Sequence, residues 1–285
     1  MTHKKIAERA NYARFPYSIN EIAITYGAAP ATDAETIVQR RDRTERRNLY
    51  AELFAKADNL KNLARRLSDY LCTRQFPDHQ VIAVAMWIRC VSACETTLLL
   101  AERGQPVEAA SVLRSGVEHM FWGCALLQRP EVHEWLRNNE REQKRKQGAR
   151  MSRHKLVRQS VTEAQRRYLK EKASEPEIQT KSVEQAAESA GMEVLFDAAY
   201  RGLSLMGVHA GLSSTAFSVQ HGRLTHSPTD EQLHTLLTTL DMCLSEGYRQ
   251  LAAFANELAP PNAVSTPTQQ QAADGNSPIA NSEDA

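Results

Sequence analysis

Two short segments hold ionisable and hydroxyl side chains at positions an apolar helix would normally leave to hydrocarbon. In AASVLRSGVEHMFWG, residues 109–123, Arg114, Glu118 and His119 interrupt an apolar run; in AAYRGLSLMGVHAGLSS, residues 198–214, Tyr200, Ser204 and His209 accompany Gly207 and Gly211. Arg114 and Glu118 are four apart, about 40° around a helix axis, so they can pair on one face; His119, five from Arg114, is turned away by about 140°. A guanidinium can hold a phosphate as charge develops on it, and an imidazole can take a proton from a 2′-hydroxyl, which together are the requirements of metal-free RNA cleavage. The same residues also read as a structural couple: Arg114 paired with Glu118 clamps a neighbouring helix, with Arg89 available to join them. Tyr200, Ser204, Gly207 and Gly211 share one helical face with His209 beside it, and the small residues permit close helix approach.

Other reactive residues form no comparable set. Cys90 and Cys94 lie on one helical face, but His79 is the only nearby further ligand, so no metal site and no cofactor are expected. His221, His226 and His234 have no ligand-like spacing, and the chain contains neither a glycine-rich phosphate loop nor a G-x-S-x-G nucleophile turn. Trp87, Trp122 and Trp135 read as packing residues.

The whole-chain charge argues for no particular partner, because 35 Lys and Arg face 34 Asp and Glu across 285 residues. The distribution is uneven: between Arg137 and Lys172 thirteen Lys and Arg stand against four Glu, a local +9 that leaves −8 elsewhere. This segment can steer an RNA backbone or serve only as a solvated face, and Tyr168 beside Arg166 and Arg167 is its one stacking aromatic. Five cysteines without a C-x-x-C pair fit a reducing compartment. The N-terminal MTHKKIAERANYARF has no apolar stretch behind its positive charges, so a cytoplasmic address is expected. VIAVAMWIRCVSACETTLLL, 81–100, is long enough to span a bilayer but carries Arg89 and Glu95; a buried bundle helix is expected, with no membrane partner.

The elements that must position the two motifs are helices. A capping box at Thr32–Glu35 opens a long helix whose stripe of Leu49, Leu53, Ala57, Leu60, Ala64, Leu67 and Leu71 should run to Phe76–Pro77. Asp78 caps a second helix that ends at Gly104, and Pro106 opens a third that runs to Gln128. Beyond Pro130, helical breaks are expected near Gly148 and Ser160, a loop over Ser174–Thr180, and a short helix closed by Gly191. Glu193–Gly211 forms a further helix and Ser213–Ser227 a connection; the last helix starts near Thr229 and stops at Pro260–Pro261. The expectation is an all-α antiparallel bundle of about six to eight helices over 31–259, after an irregular segment 1–30 and before a disordered tail 260–285.

Leu113-Arg114-Ser115-x-x-Glu118 and Tyr200-x-x-x-Ser204-x-x-x-x-His209 together resemble a bacterial helical family catalogued only as a domain of unknown function, over roughly Leu49 to Leu258. The resemblance implies that Arg114, Glu118, Tyr200, Ser204 and His209 belong to one site. More distantly, Arg114 followed by four residues and His119 is similar to the motif of the HEPN superfamily. That likeness implies a metal-independent ribonuclease or toxin-type effector working as a homodimer, with Arg114 holding phosphate and His119 or His209 as base. The alternative is a non-catalytic interaction module, in which the polar cluster orders the bundle and the basic segment or the tail engages a protein partner. A third reading is a small-ligand binder using the groove between the two motif helices.

Overall fold

A computed structural model describes residues 42–208, 215, 219–220, 223–224 and 229–258. The segments 1–30 and 260–285, the Thr32–Glu35 capping box, His209 and most of the Ser213–Ser227 connection lie outside them. The architecture is an all-α bundle, as the helical periodicity implies.

The first long helix is divided. Residues 42–49 are helical, Tyr50 departs from helical geometry at φ −114° and ψ 35°, and α1 (Ala51–Cys72) follows. The expected single stripe is therefore corrected at its start: Ala57, Ala64 and Leu71 are fully buried, while Leu49, ahead of the break, is 66% exposed. The 42–49 segment is fastened to the end of α2 instead, where the Glu102 carboxylate accepts from Arg43 and Arg47 and its carbonyl from Arg46.

α2 (Asp78–Glu102) and α3 (Pro106–Gln128) form the centre, joined where Gly104 takes φ +73° and Pro106 begins the next helix. Their contact is close because glycine sits in it: a Cβ on Gly116 would lie 2.7 Å from that of Ala93, and one on Gly123 would lie 3.1 Å from the Ala83 carbonyl. Trp87, Leu113, Met120, Phe121 and Leu126 fill the core around this pair, and Trp122 and Trp135 pack against it. Among the described residues α2 is the one helix long and apolar enough to cross a bilayer; here it packs against α1, α3 and α9 (Asp230–Glu257). Cys90, Cys94, Cys124 and Cys243 are buried thiols, while Cys72 is exposed.

α4 (Val132–Arg153), α5 (Lys155–Ser160) and α6 (Glu163–Ser174) make a hairpin. The break expected at Gly148 is absent, because this glycine serves packing rather than termination: its position lies 3.1 Å from the Leu169 carbonyl and 3.0 Å from the Lys172 Cβ of α6, measured from where a Cβ would stand. α7 (Val183–Ser189) ends before Gly191 at φ +65°. α8 (193–208) then alternates α and π turns: Glu193–Leu195 and Arg201–Leu203 are α, Phe196–Tyr200 and Ser204–Val208 are π. A two-residue ladder pairs Val219 with Leu224 and Gln220 with Arg223. Thr229 caps α9 through a capping box with Gln232.

Candidate functional site

The π turns explain how the later motif stays against α3. A π turn is looser than an α turn, so alternating the two brings the helix to about four residues per turn, and side chains four apart remain in line. Phe196, Tyr200 and Ser204 thus form a row, and Gly207, three residues on, continues the same contact with α3. On α3 the facing row is Phe121, Glu118, Arg114 and Ser111. The rows meet antiparallel, in register. Phe196 lies 6.2 Å from Phe121 between ring centroids, Tyr200 reaches Glu118, Ser204 reaches Arg114, and the Ser111 hydroxyl donates to the Gly207 carbonyl. Gly207 must be glycine at this contact, since a Cβ would stand 2.7 Å from both the Ser111 amide nitrogen and the Val107 carbonyl.

Arg114 is the hub. Its Nε donates to Ser204 Oγ at 2.8 Å, its Nη2 to the Tyr200 hydroxyl at 2.6 Å and its Nη1 to Glu118 Oε2 at 3.3 Å. The Tyr200 hydroxyl closes the ring by donating to the same Glu118 oxygen at 3.0 Å. The guanidinium carbon also lies 4.6 Å from the Tyr200 ring centre, a cation–π contact. The Tyr200 ring stacks on Phe196 at 5.1 Å and meets Phe121 edge-on at 5.9 Å. Burial, followed by the neighbouring Glu118 carboxylate, pushes the Tyr200 phenol up to about 12. The cluster is not sealed: the Arg114 and Glu118 side chains are 24% and 35% exposed.

Four of the candidate residues, Arg114, Glu118, Tyr200 and Ser204, therefore meet. His119 does not. Its Nδ1 donates to the Ser115 carbonyl at 2.7 Å, and the ring opens onto the α2–α3 groove instead. Arg89 lines that groove too and does not join Arg114. His209 lies outside the described residues. Sequence reasoning passed over Ser111, Phe121 and Phe196; the signal was present in the 111, 114, 118, 121 spacing, which is one face of a helix.

The basic segment is built on a buried acid that the sequence did not single out. Glu142, 1% exposed, accepts from Arg145 Nε and Nη2 at 2.7 Å each and from the Ile178 amide at 3.3 Å, with Lys146 at 3.4 Å. Hydrogen bonding from Arg145 leads in lowering its carboxyl to about 2. Asn139 exchanges two hydrogen bonds with the Lys181 backbone, at 2.8 and 2.9 Å. Further out the charges change character. Lys144, Arg166 and Lys172 pair with Glu140, Glu163 and Glu175, whereas Arg150, Arg153, Lys155, Arg167 and Lys170 are exposed and have no partner among the described residues.

A family of unknown function, DUF5677, matches residues 80–223. The chain belongs to this family. The DUF5677 stretch starts within α2 and takes in α3, the hairpin and α8, so it contains the whole Arg114 cluster, while α1 and α9 complete the core from outside it. Comparisons with curated proteins and with solved structures found no match. Among the described residues no group of three or more His, Cys, Asp or Glu is placed to hold a metal.

Proposed function

We propose that this DUF5677 protein is an interaction module that binds the phosphate backbone of single-stranded RNA through the α4–α6 hairpin, the Arg114 cluster serving to fix α8 on α3. The observation that carries the reading is the set of five exposed cations, Arg150, Arg153, Lys155, Arg167 and Lys170, without acidic partners among the described residues, on a hairpin where carboxylates hold Lys144, Arg145, Lys146, Arg166 and Lys172. Lys and Arg that neutralise phosphates release condensed counterions, which gives affinity without sequence readout. Tyr168, 50% exposed between them, offers a base one stacking surface. On this reading the protein works in the bacterial cytoplasm. The test is fluorescence anisotropy of a labelled RNA oligonucleotide against the full chain at increasing salt, with double-stranded DNA as competitor. The triple variant Arg150→Glu, Arg153→Glu, Lys155→Glu should keep its melting temperature and lose most of the binding, and each single neutralisation should lower the salt slope by about 0.7. Equal affinity of parent and triple variant would end the proposal.

A HEPN-like ribonuclease or toxin-type effector is the second reading. Two observations favour it: the solvent-open edge of the cluster, and the π turns carrying Tyr200 and Ser204, a feature frequent at functional sites. It requires Arg114 to exchange one of three present partners for a phosphate oxygen, and a base other than His119 of the same chain, which faces the α2–α3 groove, such as one from a second copy in a homodimer. The reading stands only if the parent cleaves RNA without added metal and Arg114→Lys, at unchanged folding, does not.

A further inference from the structure

α3 has a second polar side, turned away from Tyr200. Here α2 and α3 enclose a groove of about 360 Å³ whose lining includes Arg89, Ser92, Ala93, Ser115, Gly116 and His119. Its floor is the close contact of Gly116 with Ala93, and the small side chains beside it keep the walls low. No carboxylate lines it. Glu95, the acid of α2 closest in sequence, is held by Arg65 at 2.8 Å. Arg89 is exposed and has no partner among the described residues. The Nδ1 of His119 is committed to the Ser115 carbonyl, which fixes the ring and leaves Nε2 uncommitted.

We propose that the α2–α3 groove is a binding site for a phosphate monoester, with the Arg89 guanidinium as its anion-holding group, the Ser92 and Ser115 hydroxyls as further donors, and His119 Nε2 accepting from the hydroxyl of the monoprotonated phosphate or, as imidazolium, donating to a phosphate oxygen. Arg89 supplies a planar pair of donors that matches two phosphate oxygens, and the absence of a lining acid leaves nothing in the groove to neutralise it. The same composition argues against a divalent cation, which takes carboxylate oxygens. The volume suits one small molecule, such as a nucleoside monophosphate. A terminal phosphate on an RNA end presents the same chemistry. The site is separate from the hairpin and does not depend on RNA binding there.

The test follows the His119 imidazole resonances by NMR in the full chain, assigned by their loss in His119→Gln, during titration with inorganic phosphate, adenosine monophosphate, adenosine, and RNA oligonucleotides with and without a 5′-phosphate. A saturable shift with phosphate and adenosine monophosphate, absent with adenosine, is expected. Arg89→Met, an exposed substitution that leaves the bundle folded, should weaken it roughly tenfold or more, and the hairpin triple variant should leave it unchanged. Saturation by the 5′-phosphorylated RNA alone would identify the source as an RNA end and still support the site. No saturable shift with any phosphate, or one that persists undiminished in Arg89→Met, would overturn it.

Discussion

The Arg114 cluster and the α4–α6 hairpin hold the same kinds of cationic group in opposite situations. Every nitrogen of Arg114 has an internal partner, and its ring of contacts ties two helices that are far apart in sequence. In the hairpin the buried member is an anion, Glu142, which holds the inner part together, while Arg150, Arg153, Lys155, Arg167 and Lys170 are exposed and have no partner among the described residues. A cation whose donors are spent inside the fold stabilises it; one whose donors are unspent is available to a partner. The density of charge in the sequence does not separate these cases, and the local contacts do.

The sharpest way to break the contrast is Arg114→Ala, which strips Ser204, Tyr200 and Glu118 of a shared donor. It should cost about 2–3 kcal/mol, seen as a drop of roughly 5–10 °C in melting temperature, whereas Arg153→Ala should stay within about 0.5 kcal/mol of the parent. Equal losses in the two variants would erase the distinction. Gly207→Ala comes next: the added methyl meets backbone atoms of Ser111 and Val107 at 2.7 Å, so α8 must lift from α3 at about 1–2 kcal/mol by chemical denaturation. Tyr200→Phe removes one hydroxyl that both accepts and donates, for about 1 kcal/mol; a double-mutant cycle with Arg114→Ala should show the two effects to be strongly non-additive.

Two pH effects are smaller and of opposite sense. The Tyr200 phenol is raised to about 12, so the neutral form is the one the fold favours. Its contribution is complete below the ordinary tyrosine value of about 10 and is lost as pH rises toward 12. An alkaline ultraviolet titration of parent minus Tyr200→Phe should isolate one phenol ionising near that upper value. Glu142 is lowered to about 2, so its contribution is complete above the ordinary glutamate value of about 4.3 and fades as pH falls toward 2. Hydrogen exchange should report this as earlier acid opening of the α4–α6 amides than of the α2–α3 core; simultaneous opening would show that Glu142 does not hold the hairpin.

Much of the secondary structure was legible because its signals are local. Gly104, Pro106, Gly191 and Thr229 mark helix ends through dihedral freedom, a missing amide or a capping hydroxyl, and each acts over a few residues. Gly148 misled the reading for a physical reason: a glycine that ends a helix and one that admits a neighbouring helix are the same residue, and only the proximity of Leu169 and Lys172 tells them apart. Tyr50 misled it the other way, since its neighbours give no break signal and the interruption accompanies its hydroxyl bond to Asp230, 180 residues away, at 2.6 Å. The π turns of α8 left no pattern that 3.6-residue periodicity could detect.

For the candidate site the division is equally physical. Helix geometry alone placed Arg114 with Glu118 and turned His119 away from them, because the angle between two side chains on one helix depends only on their separation along it. What each of those faces meets is a property of packing between segments thirty to ninety residues apart. That packing set Tyr200 and Ser204 against Arg114, left His119 with Arg89 over a separate groove, and left the hairpin cations facing solvent.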